Sequence, residues 1–171
     1  MIRVDIETII MAAGPVPSVI VLRERNASAT SSESPLRALS IQTGSFEAAA
    51  VSRGINAGDN QNRPITHDLM LEAIRKLDAK VERVEINRVD APVFFATVVL
   101  GPVNSDTDEL TLDARPSDAL ALAVRANAPI YVEDDVMNRA GSVSFSPEQN
   151  NDEAEIERFD QFVQTLSPDD F

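Results

Sequence analysis

Two short stretches hold residues able to grip a phosphate and move a proton. RPITHD contributes Arg63, Thr66, His67 and Asp68, and DARPSD contributes Asp113, Arg115, Ser117 and Asp118. In each, an Arg-Pro step leads into an expected helix start. A helix N-terminus presents N–H groups without intrahelical partners and the positive end of the dipole. An adjacent guanidinium and hydroxyl would complete an anion site there. On this ground Arg63 with Thr66, and Arg115 with Ser117, are the candidate phosphate ligands. The spacing leaves a structural alternative open, in which Thr66 and Ser117 only cap helices and the arginines only pair with Asp68, Asp113 or Asp118.

His67 is the single histidine, so a mechanism needing two imidazoles is excluded. An unperturbed imidazole, with a pKa of about 6.5, suits general acid or base work beside a phosphate. A surface or capping role is the alternative. His67, Asp68, Asp113 and Asp118 form the candidate catalytic set. Glu47, Asp68, Asp113, Asp118 and Glu133 all fall near expected element boundaries, and hard oxygen ligands suit Mg²⁺ or Mn²⁺. Glu47, Asp113 and Asp118 are the candidate metal ligands, and no organic cofactor is expected. GxGxxG, the Walker lysine loop, HExxH and GxSxG are all missing. The DAK fragment at 78–80 falls at an expected helix end and is set aside.

The elements that must position these residues follow from periodicity. Residues 2–12 and 18–25 read as strands joined through GPVP, and ALSIQT at 38–43 as a third. NASATSSESP at 26–35 reads as a mobile loop. SFEAAAVSRGIN reads as a short helix with Ser45 as N-cap and Phe46, Ala49, Ala50 and Ile55 facing the core. THDLMLEAIRKLD reads as a helix capped by Thr66, with Asp68 in its first turn and an apolar face of Leu69, Met70, Ala73, Ile74 and Leu77. KVERVEINRV and VFFATVVLG are a half-exposed and a more buried strand turned by DAP. ELTLDA is a strand, PSDALALAVRAN a buried helix, PIYVED a strand and DDVMNRAG a last short helix. The order implies an α+β fold: a mostly antiparallel β-sheet with helices packed on it, in one domain over 1–141. Residues 142–171 are an acidic linker and a C-terminal helix, with Ile156, Phe159, Val163 and Leu166 at helical spacing. That helix would dock on its own chain, a sister subunit or a partner.

Composition bounds the rest. The 171 residues include no cysteine, which removes disulfides and thiolate metal sites and fits a reducing cytoplasm. The first residues are interrupted by Arg3, Asp5 and Glu7, so no signal peptide and no membrane span is expected. Residues 148–171 hold eight acidic side chains against Arg158, −7 of the net −13, leaving −6 on residues 1–147. Tight binding of nucleic acid across a broad basic surface is disfavoured, although a local basic groove is not.

The succession SFEAAAV, RPITHDLM, VERVEI and LDARPSDALALAVRANAPIYVEDDV resembles the bifunctional nuclease domain family over about residues 1–141. The resemblance implies an α+β domain that self-associates as a dimer, and a nuclease acting on RNA or single-stranded DNA. By position the matching polar residues are Glu47, Arg63, Thr66, His67, Asp68, Asp113, Arg115, Ser117 and Asp118. The chain departs from the family pattern in its Ser-rich loop at 26–35 and its short acidic C-terminus. The expected reaction is phosphodiester hydrolysis. Arg63 and Arg115 hold phosphate, Asp113 and Asp118 with Glu47 hold a divalent ion or orient water, and His67 transfers a proton. The alternative class is a non-catalytic regulatory module for a small anionic ligand or a protein partner. A third reading has the acidic tail covering a basic groove as a mimic of nucleic acid.

Overall fold

The strands form where β-branched residues concentrate: β1 (Ile2–Ile10), β2 (Ser18–Glu24), β3 (Arg37–Thr43), β4 (Ala79–Asp90), β5 (Val93–Pro102), β6 (Leu110–Ala114), β7 (Ile130–Val132) and β8 (Gly141–Val143). Helices α1 (Ser45–Ile55), α2 (Thr66–Lys76), α3 (Pro116–Ala126) and α4 (Asp134–Ala140) are interspersed. The computed structural model describes residues 1–25, 36–56, 63–102 and 109–143. The expected loop at 26–35 and the amphipathic C-terminal helix lie outside the described residues.

One eight-stranded sheet runs in the order β6-β5-β4-β7-β1-β2-β3-β8. Every pairing is antiparallel except β4 with β7. The fold is therefore α+β. In β4 the buried residues Val81, Val84, Ile86 and Val89 do not keep a period of two, so a regular strand would send them to opposite faces. Register shifts between Val81 and Arg83 and between Ile86 and Arg88 absorb the extra residues and return all four to the core. Three-residue β8, which no periodicity revealed, pairs with β3 and carries the sheet two residues past the expected boundary at 141.

Helix α4 touches both β4 and β3, which stand four places apart in the sheet. A flat sheet would hold those strands about 19 Å apart, whereas the seven residues of α4 span about 10 Å. The sheet must curl.

Helix α3 packs on β4 and β5 while α1 and α2 lie against it. Its residues 116–123 are buried apart from the half-buried Asp118, as expected of a helix with apolar residues on nearly every side. It ends at Asn127 in the left-handed conformation (φ 52°), with Ala128 N–H bonded to the Ala123 carbonyl. α1 meets it through small residues. A Cβ on Gly54 would stand 2.5 Å from Val124 Cγ2.

Two expected helix faces are corrected. In α1 the buried residues are Ala48, Ala50, Val51 and Gly54, while Phe46 and Ile55 are 89% and 51% exposed. The contact with α3 selects small side chains, which hydrophobicity alone does not single out. In α2 the buried residues are Leu71 and Ile74, and Leu69, Met70, Ala73 and Leu77 are exposed. Polar contacts of His67 and Asp68, described below, set the rotation of that helix. The N-caps also shift by one residue, to Gly44 and Ile65 in place of Ser45 and Thr66.

Candidate active site

Helices α1, α2 and α3 all begin at one cleft of about 1010 Å³. Its floor is the sheet surface of Phe94 and Val98 on β5 and Leu112 and Ala114 on β6, where Val98 lies opposite Leu112. Its walls are the first turns of the three helices. Glu47, Asp68 and Asp118 each occupy the third position of their own helix, where a carboxylate complements unpaired N–H groups and the dipole. The same position sends Glu47 and Asp118 to the cleft.

Arg115 ties two of these helices together. Its Nε and Nη2 donate to the two oxygens of Asp118 at 2.8 and 3.2 Å, and Nη1 donates to Glu47 Oε1 at 3.2 Å. The side chain remains 65% exposed. A guanidinium carries five N–H groups, so two stay available to a ligand. Glu47 folds back over Gly44, where any Cβ would collide with its carboxylate.

His67 adds the third helix. Its side chain is only 14% exposed, and Nε2 lies 3.1 Å from Asp118 Oδ1. Burial pushes the Asp118 carboxyl up, but the hydrogen bonds from Arg115 and His67 outweigh it and leave its pKa below the ordinary value. An ionised carboxylate can only accept, so the Nε2 position carries the proton. Nδ1 is buried without a hydrogen-bond partner among the described residues. Asp113, exposed on β6, faces the same cleft and has no ion-pair partner among the described residues.

Six candidate residues thus line one space: Glu47, Thr66, His67, Asp113, Arg115 and Asp118. Three do not. Arg63 is exposed outside the lining, and Ser117 is buried at the second position of α3. Asp68 faces inward, with Oδ2 accepting from Ile65 N–H at 2.9 Å and Oδ1 accepting from Arg125 Nε at 2.6 Å. Both of its oxygens serve the helix framework. Glu133, the N-cap of α4, is also outside the cleft. No three His, Asp or Glu side chains converge as a metal cage among the described residues. Glu47 and Asp118 lean on Arg115 instead, so with Asp113 they do not form a three-residue ligand set.

The Bifunctional nuclease domain model matches residues 29–144, a span that contains every residue lining the cleft. The chain belongs to the bifunctional nuclease domain family. An uncharacterized protein of Mycobacterium tuberculosis is 34% identical over 160 residues, covering 90% of this chain and 87% of that protein. Bifunctional nuclease 2 of Oryza sativa subsp. japonica is 34% identical over 85 residues, 50% of this chain and 26% of the plant protein. Bifunctional nuclease 1 of Arabidopsis thaliana is 31% identical over 70 residues, 41% and 22% respectively. The matched segments span about a quarter of each of those plant proteins.

Within this bifunctional nuclease domain, two features escaped sequence reasoning. Arg125, with a side chain 6% exposed, donates from Nη1 to the carbonyls of Ala50 and Ala121 at 2.9 Å each, besides its bond to Asp68. It joins α1, α2 and α3 beneath the cleft. The signal was a charge placed in an otherwise apolar helix, which must find a partner when buried. The second feature is the apolar floor and lip, where Phe46, expected inside, stands at the mouth.

Among the described residues no helix is long and apolar enough to cross a membrane.

Proposed function

We propose that this chain is a nuclease that hydrolyses phosphodiester bonds of RNA or single-stranded DNA in the cleft at the three helix starts. The observation that carries the reading is the His67, Asp118, Arg115 and Glu47 chain of contacts at the edge of that cleft. Arg115 offers its two remaining N–H groups to a nonbridging phosphate oxygen. Asp113 takes a proton from the attacking water. His67, acting in its imidazolium form, passes a proton to the leaving oxygen and becomes neutral, while the Asp118 carboxylate orients the ring and favours the imidazolium before transfer. Arg63 meets the flanking phosphate.

Mg²⁺ or Mn²⁺ belongs to this reading as an assisting ion. Such ions are commonly bound through one or two carboxylates plus substrate phosphate oxygens, so Asp113 with the substrate suffices as a docking point. The test is hydrolysis of labelled single-stranded RNA and DNA with Mg²⁺, with Mn²⁺ and with chelator, by the native chain and by Asp113→Asn. Cleavage lost in the variant supports the reading. Equal cleavage by both contradicts it.

The second reading, a non-catalytic module for an anion or a protein, draws on Arg115 being already paired with two acids. Retained binding of RNA with no turnover under any metal condition would favour it. Self-association into a dimer in the cytoplasm stays part of the proposal, and sedimentation measures the stoichiometry.

A further inference from the structure

We infer that the preferred substrate is a very short oligonucleotide, carrying one or two phosphates, with a base seated on the apolar floor. The inference rests on the nuclease reading of the same cleft. Three observations support it.

Charge is the first. A polymer substrate is held by many cations along a track, yet this chain carries a net charge of −13. Nine of its fifteen lysines and arginines are held in ion pairs among the described residues. Arg115 is the sole cation lining the cleft among the described residues, and Glu47, Asp113 and Asp118 stand beside it. That arrangement suits a single phosphate and repels a train of them.

Size is the second. At about 1010 Å³ the cleft sits at the upper end of the ~300–1,000 Å³ range of sites that enclose small organic ligands.

The third is the lip. Phe46, Met70 and Val93 are 89%, 46% and 53% exposed, and all three line the cleft beside the floor residue Leu112. Large apolar side chains exposed together around one opening mark a binding surface. An aromatic face beside a phosphate ligand accepts any unstacked base.

The test compares hydrolysis of the dinucleotide ApA with that of long poly(A), each from 50 to 200 mM salt. The single phosphate of ApA predicts an affinity loss of only about threefold across that range. ApA is expected to give the higher kcat/KM, with this shallow salt response. Phe46→Ala, at a position too exposed to unfold the chain, is expected to raise KM for ApA severalfold and leave kcat and the melting temperature unchanged. Efficient cleavage of poly(A), poor cleavage of ApA and a steep salt response would overturn the short-substrate inference and leave the nuclease reading intact. Absence of both binding and cleavage for both substrates would overturn the two together. A change of oligomeric state in Phe46→Ala with an unchanged KM would make the lip a protein interface, and the inference would fail.

Discussion

Replacing Arg125 with Met should loosen the three helices that meet at the cleft. The guanidinium is nearly buried and makes bonds of 2.6, 2.9 and 2.9 Å to Asp68, Ala50 and Ala121. Breaking a buried ion pair from one side costs about 3–5 kcal/mol. Asp68 is 39% exposed, so water rehydrates part of the abandoned charge, and the expected loss falls to about 2–3 kcal/mol. For a chain of this size that lowers Tm by about 4–12 °C. The pH dependence supplies a sharper check. Burial raises the Asp68 carboxyl, but hydrogen bonds from Arg125 and the Ile65 N–H leave its pKa below the ordinary value. A carboxyl lowered in the folded state contributes stability above its unfolded pKa and loses it as pH falls through the folded pKa. Urea unfolding of both proteins should therefore show the full gap at neutral pH and a narrowing gap below about pH 4. The double variant Arg125→Met with Asp68→Asn should recover part of the loss, because no charge is left unpaired. A neutral-pH difference under about 0.5 kcal/mol, or a gap independent of pH, would refute the clamp.

Two glycine substitutions should separate packing from site geometry. Gly54→Ala improves helix propensity by about 1 kcal/mol, yet its Cβ falls 2.5 Å from Val124 Cγ2 and 2.7 Å from Arg125 Nη1. Net destabilisation of about 1–2 kcal/mol is expected in urea unfolding, since α1 must move off α3. Stabilisation would show that the close approach costs nothing. Gly44→Ala meets only the flexible end of Glu47, so its Tm should fall by no more than the about 1–4 °C expected for replacing an N-cap glycine by alanine. Its nucleic-acid KM should shift because the Glu47 to Arg115 bond is displaced, and an unchanged KM would remove Glu47 from the site.

Strands were largely legible because each buried one carries β-branched residues bounded by turn residues, as in SVIVLRE after GPVP and VFFATVVLGP after DAP. Short β8 offers only Gly141, Ser142 and Val143 and owes its place to pairing with β3. Helix existence was legible and helix rotation was not. In α2 the most hydrophobic side, with Leu69 and Leu77, faces outward, while His67, Leu71 and Ile74 turn inward. Those three keep i, i+4, i+7 spacing, a stripe visible only if the histidine is counted as an interior residue. The same contact, His67 to Asp118 across 51 positions in sequence, joins the two Arg-Pro stretches at one cleft. Spacing within each stretch could not reveal that junction, since it depends on how α2 and α3 pack. Arg125 reaches Asp68 and Ala50 on two other helices, partners that no spacing within its own helix reveals.

The measurement that bears most directly on the central claim is single-turnover cleavage of single-stranded RNA by His67→Ala, Asp118→Asn and the double variant. If the pair moves the proton as one unit, each single change should slow cleavage by about 10²–10⁴-fold, and the double variant should be no slower than the worse single. Cleavage at the native rate in both single variants, with folding intact, would contradict the account.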